Sequence, residues 1–368
     1  MPQRELIKII VVDDSIVYRR LIKNILSELP DVDVVGFASN GREAIDKIKR
    51  LKPDLLILDI EMPEMNGLEV LATIKKENLN VRAIMLSGVT RSGGKLVMKT
   101  LEQGAFDFIT KPDIEMSMVT NKLLLADAFK TKISAFIRHR NLRKIQRRPD
   151  NQAQTAQSNF QQSHAARQVP TIKRQSQSKI VAIGISTGGP EALAKVLPGI
   201  PSGFGAPIVI AQHMPPFFTE ALAANLDPKC AITVKEAEDG EPVLPDTAYL
   251  APGGKHMKII PGSGGFNSFK IRVTDELLQY NYKPSVDYLF DSVAECYGER
   301  ATGVIMTGMG SDGLQGLTNM KARGALVIAQ DPESCVVFGM PKGPIEKGLV
   351  NVIAPLESIA AEIRRTVE

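Results

Sequence analysis

Two stretches of the chain alternate short apolar runs with amphipathic segments, and a polar stretch lies between them. In the first, apolar runs predict five strands, at 6–12, 33–38, 54–58, 81–86 and 105–109. Apolar residues at helical spacing predict five helices between and after them, at 17–29, 41–51, 68–76, 95–103 and 117–137. Five strand–helix units in this order predict a parallel sheet with helices on both faces.

The second stretch repeats the alternation and predicts another α/β domain. Strands are expected at 179–183, 206–212 and 301–306, with helices beginning at Pro190 and near Leu314. The segment between the two is rich in Gln and Ser and poor in apolar residues, so it buries too little surface to fold by itself. We predict a first domain at 1–137, a flexible linker at 138–178, and a second, doubly wound and mainly parallel domain at 179–368.

Charge is concentrated in that linker. Ten Lys and Arg residues but one acid fall between Arg138 and Lys179, a charge of +9, so the remaining residues carry 4 − 9 = −5. Basic tracts can bind nucleic acid. This tract holds a single aromatic residue, Phe160, and the chain has no tryptophan, which favours a solvated linker and no nucleic-acid partner.

The overall composition is that of a globular protein with 43% hydrophobic and 23% charged residues. No apolar run reaches the length of a membrane span, so we expect no insertion into a membrane. The chain starts without a signal-peptide pattern, and its three cysteines lack the spacing of a metal site. These features predict a cytoplasmic protein.

Polar residues stand at the carboxyl ends of four predicted strands in the first domain. They are Asp13 and Asp14, Asp59, Ser87, and Lys111. Ligands bind beyond this edge of a parallel sheet. Three converging carboxylates repel one another unless a cation lies among them, and oxygen ligands favour Mg²⁺. A carboxylate beside a divalent ion and a lysine can accept a phosphoryl group. A set of helix caps and solvated turn acids is the alternative.

These landmarks resemble the receiver domain of response regulators. Asp59 lies in the run Leu-Asp-Ile-Glu-Met-Pro-Glu-Met-Asn-Gly and matches the phospho-accepting aspartate. The resemblance implies a flavodoxin-like fold, strand order 2-1-3-4-5, and phosphotransfer from a histidine kinase. It further implies that metal is bound by the acidic pair Asp13 and Asp14, by Asp59 and by the Glu61 carbonyl, and that switching and phosphoryl binding use Ser87, Phe108 and Lys111.

A glycine-rich turn, Gly184-Ile-Ser-Thr-Gly-Gly-Pro190, follows the first strand of the second domain. It places Ser186 between a buried strand and a helix that Pro190 begins. Glycines permit the sharp bend, and N–H groups at a helix start can stabilise an anion. The turn therefore suits a nucleophilic serine. An ordinary strand–helix turn or a phosphate-binding loop remains an alternative, although the lysine of a P-loop is missing.

Two further strand ends supply partners for Ser186. A strand–helix–strand unit places His213 at the same sheet edge as Ser186, and Asp312 follows a third strand in another glycine-rich turn. Histidine can take the serine proton, and the aspartate can orient the imidazole. His256 is the alternative base, and Asp312 in isolation could simply cap a helix. Backbone N–H groups near Met309 can reach an oxyanion.

The second domain resembles the catalytic domain of chemotaxis protein-glutamate methylesterases. The matching runs are Gly-Ile-Ser-Thr-Gly-Gly at 184–189, Gln-His-Met-Pro at 212–215, Ala-Pro-Gly-Gly-Lys-His-Met at 251–257, Pro-Ser-Val-Asp at 284–287, Thr-Gly-Met-Gly-Ser-Asp-Gly at 307–313, and the stretch from Ala329 to Pro341. The resemblance implies a catalytic triad of Ser186, His213 and Asp312 with Met309 in the oxyanion hole. Ile185 and Leu314 stand where alanine is common in the family.

Together the two resemblances imply a phosphorylation-activated serine hydrolase. It would demethylate glutamyl methyl esters on methyl-accepting chemoreceptors, deamidate receptor glutamines, and receive its phosphoryl group from the chemotaxis histidine kinase. Mg²⁺ would serve phosphorylation alone, and the esterase would need no cofactor. Two rival hypotheses are a phospho-switched scaffold with an inactive hydrolase domain, and a transcriptional regulator. The second requires a helix-turn-helix that the pattern after the linker does not predict.

Overall fold

A five-stranded parallel sheet in the order β2-β1-β3-β4-β5 forms the first domain. The computed structural model describes residues 6–112, 118–146, 177–263, 268–276, 280 and 282–368. The strands are β1 (Ile7–Val12), β2 (Val32–Ala38), β3 (Leu55–Asp59), β4 (Arg82–Gly88) and β5 (Asp107–Lys111). The helices are α1 (Ile16–Ser27), α2 (Gly41–Leu51), α3 (Gly67–Lys76), α4 (Arg91–Glu102) and α5 (Met118–Gln146). The predicted flavodoxin-like order is confirmed.

Buried apolar strands and side-chain caps explain these elements. Every residue of β3 is buried, as expected for a central parallel strand covered on both faces. At the start of α3, Asn66 and Glu69 form a reciprocal capping box, in which each side chain accepts from the other residue's backbone N–H. The capping box thus fixes where α3 begins, after the loop that follows β3.

The second domain contains a seven-stranded parallel sheet in the order β14-β13-β12-β6-β7-β9-β8, which confirms its α/β class. Its strands are β6 (Ile180–Ile185), β7 (Ile208–Gln212), β8 (Thr233–Glu236), β9 (Thr247–Leu250), β12 (Ala301–Ile305), β13 (Leu326–Gln330) and β14 (Val352–Ala354), with a separate antiparallel pair of β10 (His256–Pro261) and β11 (Phe269–Thr274). Its helices are α6 (Gly189–Val196), α7 (Phe218–Leu226), α8 (Val286–Tyr297), α9 (Leu314–Ala322), α10 (Lys342–Glu346) and α11 (Leu356–Val367).

Strand order reverses at β6, which lies between β7 and β12. The chain runs from β6 to β7 on one side and returns later to β12 on the other. Crevices for ligands open at such a point, beyond the carboxyl ends of the strands. The turns that follow β6, β7 and β12 carry Ser186, His213 and Asp312.

The predicted linker begins and ends within ordered structure. Helix α5 continues to Gln146, nine residues past the predicted domain end at 137. Near the other end Ser178 is fully buried, and its hydroxyl lies 2.5 Å from that of Thr302. The rest of the predicted linker, 147–176, lies outside the described residues, so the division at 137 and 178 stays a prediction.

The two domains pack directly against each other. Helix α4 lies against α7, and a Cβ added to Gly94 would come 2.9 Å from the carbonyl oxygen of Phe217. The rings of Phe108 and Phe218 stack across the contact with centroids 5.1 Å apart. Arg91 pairs with Glu220 at 2.9 Å at its exposed edge. One apolar core therefore continues from the first domain into the second.

Candidate active site

Ser186 occupies the tight turn between β6 and α6. Its backbone N–H donates to the Thr307 carbonyl at 3.0 Å, and its own carbonyl accepts from Gly189 at 2.8 Å. Gly188 has a φ of 78°, and a Cβ at Gly189 would lie 1.8 Å from Gln212 Oε1, so the bend requires glycine at both positions. The half-buried serine is therefore held at a fixed place on the sheet edge.

His213 is a backbone neighbour of this turn, as the strand–helix–strand pattern predicts. Its N–H donates to the Ile185 carbonyl at 3.1 Å, and Gln212 Nε2 donates to the Ser186 carbonyl at 3.0 Å. The imidazole Nε2 lies 2.8 Å from Asp312 Oδ2. Nδ1 is buried and, among the described residues, has no hydrogen-bond partner. With Nε2 paired to the carboxylate, Nδ1 is the nitrogen left to accept a proton.

Asp312 lies at the N-terminus of α8, a contact that the sequence reasoning missed. Its carboxylate accepts from the backbone N–H groups of Val286 at 2.8 Å and Asp287 at 2.9 Å, and from Ser285 Oγ at 3.1 Å. Burial opposes ionisation, but the bonds from His213 and from this helix start lower the pKa of Asp312. The run Pro-Ser-Val-Asp was the available signal, because Ser285 is a typical N-cap.

The other predicted residues are placed as follows. Met309 lies in the turn after β12, and its N–H makes no backbone hydrogen bond within the described part of the chain. His256 is fully buried at the start of β10, where burial lowers its pKa. Asp312 pairs with His213, and not with His256, in the described residues. The structure therefore favours His213 over the alternative base.

In the first domain the predicted acidic cluster is assembled around Lys111. The Lys111 ammonium lies 2.6 Å from Asp59 Oδ2 and 2.9 Å from Asp13 Oδ2. Carboxylate oxygens of Asp13, Asp14 and Asp59 all lie within 4.8 Å of one another. Asp13 and Asp59 are buried, whereas Asp14 is exposed. An exposed carboxylate among buried ones leaves the cluster open on one side.

The other predicted residues of the first domain lie on β4, on β5 and just after β3. Ser87 is buried on β4, and Phe108 is buried on β5 against Phe218. Glu61 is exposed beside a cavity of about 440 Å³ that Asp14 also lines, and its backbone N–H donates to Asp59. The predicted part of its carbonyl in metal binding stays a prediction.

A lysine of the first domain contacts the serine turn itself. Lys132 on α5 donates to Asp107 at 2.7 Å and lies 3.4 Å from the Thr187 hydroxyl. Thr187 immediately follows Ser186. A cavity of about 250 Å³ next to this contact is lined by His139 of α5 and by Gly188. The first domain thus reaches the residue beside Ser186.

Comparison with known proteins finds a family match for each of the two domains. Residues 181–363 match the family model described as CheB methylesterase, and residues 9–121 match the response regulator receiver domain. A protein-glutamate methylesterase/protein-glutamine glutaminase from Desulfotalea psychrophila is 47% identical over 365 residues, 98% of this chain and 99% of that protein. This chain belongs to the CheB methylesterase family. A protein of the same name from Bacillus subtilis is 40% identical and covers 99% of both chains.

Among solved structures, this CheB-family chain is similar to the methylesterase catalytic domain of Thermotoga maritima CheB. The two are 44% identical, the match covers 52% of this chain and 99% of that one, and the TM-score is 0.49. Within the described ranges, no helix of the CheB-family chain has both the length and the apolar character of a membrane span.

The two departures from the family pattern neighbour the reacting groups in sequence, at Ile185 before Ser186 and at Leu314 two residues after Asp312. Ile185 is fully buried and packs in the core on the inner side of the turn. Leu314 begins α9 and lies 3.2 Å from the place that a Cβ on Gly343 would take. Neither residue replaces a polar side chain of the site, so the CheB-family chain retains the full set of predicted reacting groups.

The acidic cluster of this CheB-family chain fits a divalent cation. Its donors are carboxylate oxygens only, the preference of Mg²⁺. Burial raises the pKa of Asp59 from 3.8 to about 6 despite the nearby Lys111, and the charge of Asp13 adds to the rise. One lysine thus does not neutralise the buried carboxylates, and a bound cation would.

This pKa predicts that Asp59 destabilises the folded domain at neutral pH without metal. A raised carboxyl pKa favours folding below the unfolded value of 3.8, and the benefit is lost as the pH rises through about 6. A rise of that size is worth about 3 kcal/mol. In EDTA, Asp59→Asn should raise Tm at pH 7.5 by on the order of 5 °C and much less at pH 4. Scanning calorimetry measures both, with Asp33→Asn on the exposed side of β2 as the control. Equal Tm shifts at the two pH values would contradict the argument.

Proposed function

We propose that this chain is a serine hydrolase that removes methyl groups from glutamyl methyl esters on methyl-accepting chemoreceptors. The observation that carries the proposal is the 2.8 Å pairing of His213 Nε2 with Asp312, beside the turn that holds Ser186. The names of its relatives supply the substrate class. A side-chain amide reacts through the same tetrahedral geometry, so glutamine deamidation belongs to the proposal.

In the proposed mechanism Ser186 Oγ attacks the ester carbonyl while His213 Nδ1 takes its proton. Asp312 keeps the proton on Nε2 and stabilises the imidazolium. We propose that the N–H of Met309, which makes no backbone hydrogen bond within the described residues, donates to the oxyanion. Ser186 Oγ makes no hydrogen bond in the described residues, and such contacts often tighten only when substrate binds.

The tetrahedral intermediate collapses when its C–O bond to the methoxy group breaks. His213 returns the proton to the departing methoxy oxygen, and methanol leaves. Water then attacks the acyl-serine ester, gives its proton to His213, and releases the glutamate side chain while Ser186 regains its proton. Every proton in these steps is held by Ser186, His213, water or the products, so the proposed chemistry requires no cofactor.

The receiver domain of the family implies regulation by phosphorylation. We propose Asp59 as the acceptor, a histidine kinase as the donor, and Asp13, Asp14 and Asp59 as the Mg²⁺ ligands. When bound, the cation offsets negative charge on the phosphoryl group. Lys111 already lies 2.6 Å from Asp59 and would pair with a phosphoryl oxygen there.

Regulation is proposed to act through the contact between the domains. Phe108 on β5 stacks on Phe218 of α7, which begins five residues after His213, and Lys132 reaches Thr187. Both contacts connect the receiver's β5–α5 face to the serine site. A phosphoryl group at Asp59 that repositions Ser87 and Phe108 weakens the stack and opens the cleft to receptor.

Phosphorylation of Asp59 should raise methanol release from methylated receptors by about tenfold, because it shifts the domain contact toward the open state. The measurement uses purified protein, acetyl phosphate and Mg²⁺. Asp59→Asn should keep the basal rate and lose the rise, and EDTA should remove the rise from the wild type. Activation of Asp59→Asn by acetyl phosphate would contradict the assignment.

Location and partners follow as part of the proposal. The three cysteines are free thiols, which fits the reducing cytoplasm where receptor signalling domains and their kinase are found. We propose no nucleic-acid partner and no membrane insertion.

A further inference from the structure

The segment that precedes α8 contacts two members of the proposed site at once. Ser285 at its end donates its Oγ–H to Asp312, which also accepts from the first N–H groups of α8, those of Val286 and Asp287. Its start carries Tyr282, whose ring stacks on the imidazole of His213 with centroids 4.4 Å apart and an angle of 11° between the planes. One short stretch therefore contacts both partners of the His213–Asp312 pair.

Tyr282 is not an ordinary core residue. Its side chain is 42% exposed, yet the ring lies flat against the imidazole. Its hydroxyl oxygen lies 3.3 Å from the place that a Cβ on Gly310 would occupy, one residue after Met309. The phenol thus covers one face of His213 and extends to the turn that holds Met309. The backbone of the segment is anchored, because the Lys283 carbonyl accepts from Gly254 at 3.3 Å.

Resting on the proposed function, we infer that Tyr282 is a positioning residue for His213. The imidazole pairs with Asp312 through Nε2, so Nδ1 must face Ser186 for proton transfer. Rotation of the ring about its Cβ–Cγ bond would break that arrangement. A parallel ring at 4.4 Å blocks the rotation on one face. Stacking on an electron-rich ring also stabilises the imidazolium that forms in the transition state.

This role predicts a loss in kcat and little change in KM. In Tyr282→Ala the imidazole is free to turn, so kcat for methylated receptor should fall about tenfold to a hundredfold. KM should change less than about threefold, because the proposed role of the ring is to hold His213 and not to contact the receptor. Tyr282→Phe keeps the stack and should restore kcat to within about twofold. The exposed position makes a folding defect in either variant small, which circular dichroism checks.

A spectroscopic readout separates positioning from a general structural effect. The Nε2 proton shared with Asp312 gives a low-field ¹H resonance, which should persist in Tyr282→Phe and broaden or vanish in Tyr282→Ala. Tyr280→Ala is the matched control, because that ring contacts His256 and Tyr288 instead of His213. It should leave both kcat and the resonance in place.

Two results would overturn the role of Tyr282. One is an unchanged kcat in Tyr282→Ala, and the other is a rise in KM alone, which would make Tyr282 a contact for the receptor. Ser186→Ala, assayed in parallel, distinguishes this failure from failure of the proposed function. If Ser186→Ala has lost activity while Tyr282→Ala has not, only the inference about Tyr282 falls.

Discussion

Replacement of Ser186 by alanine should lower methanol release from methylated receptors by about 10⁴-fold or more. That loss corresponds to at least about 5 kcal/mol of transition-state stabilisation, the size expected when a nucleophile is removed from a triad. His213 and Asp312 cannot compensate, because without the serine oxygen no acyl-enzyme forms. Gas chromatography of released methanol, with phosphodonor and Mg²⁺ present, measures the rate.

The fold of Ser186→Ala should be unchanged, because the hydrogen bonds of Ser186 to Thr307, Gly189 and Gln212 use backbone atoms. Ser311→Ala is the matched control, an exposed serine in the turn before Asp312 that should keep the wild-type rate. A fluorophosphonate probe should label the wild type and Ser311→Ala, and leave Ser186→Ala unlabelled. If Ser186→Ala retains a tenth of the activity or more, the chain uses another nucleophile.

Substitution of Gly94 by leucine should raise the basal esterase rate by about tenfold. A Cβ there would lie 2.9 Å from the Phe217 carbonyl and 3.4 Å from the Ala221 Cβ, so leucine pushes α4 away from α7. The backbone of Gly94 is helical and tolerates a side chain. Acetyl phosphate should add little in this variant, because the contact that phosphorylation weakens is already broken.

Lys99→Leu tests whether the position of the new side chain matters. It introduces the same leucine into α4, on an exposed face. It should leave both the basal rate and the activation by acetyl phosphate as in the wild type. If Gly94→Leu lowers the basal rate or leaves it unchanged, α4 does not restrain the esterase and the proposed regulation is wrong.

The sequence predicted elements of the first domain and the topology around Ser186 well, because both depend on local patterns. Buried strands read as apolar runs, and a strand–helix–strand unit places His213 beside Ser186 regardless of detail. Helix α4 was predicted to begin at Lys95 but begins at Arg91. Gly93 and Gly94 weaken the helical pattern in the sequence. The packing shows why glycine stands there, because Gly94 lies against Phe217 and Gly93 against the Gly88 carbonyl.

Contacts between elements that are distant along the chain could not be predicted from the sequence. The hydrogen bonds that hold Asp312 come from Ser285 to Asp287, 25 to 27 residues away, and depend on how α8 meets β12. The stack of Tyr282 on His213 and the reach of Lys132 to Thr187 are contacts of the same kind. The sequence positions of Tyr282 and His213 do not reveal that their rings stack, because the two residues are far apart along the chain.

The packing of α4 on α7 joins two parts of a single chain, so its strength does not depend on dilution. A tether gives each domain an effective concentration on the order of 1 mM at the other. A contact with a dissociation constant of about 100 μM, far too weak to hold two separate proteins together in the cell, would then be about 90% formed.

This closed-to-open ratio sets the free energy that a phosphoryl group must supply to open the interface. Moving the population from about ten closed molecules per open one to the reverse requires a hundredfold change, or about 2.7 kcal/mol. The stacked pair Phe108–Phe218 and the ion pair Arg91–Glu220 are together of that order. A modest interface between two domains of one chain can thus be fully reversible, which suits an enzyme that must be switched on and off repeatedly.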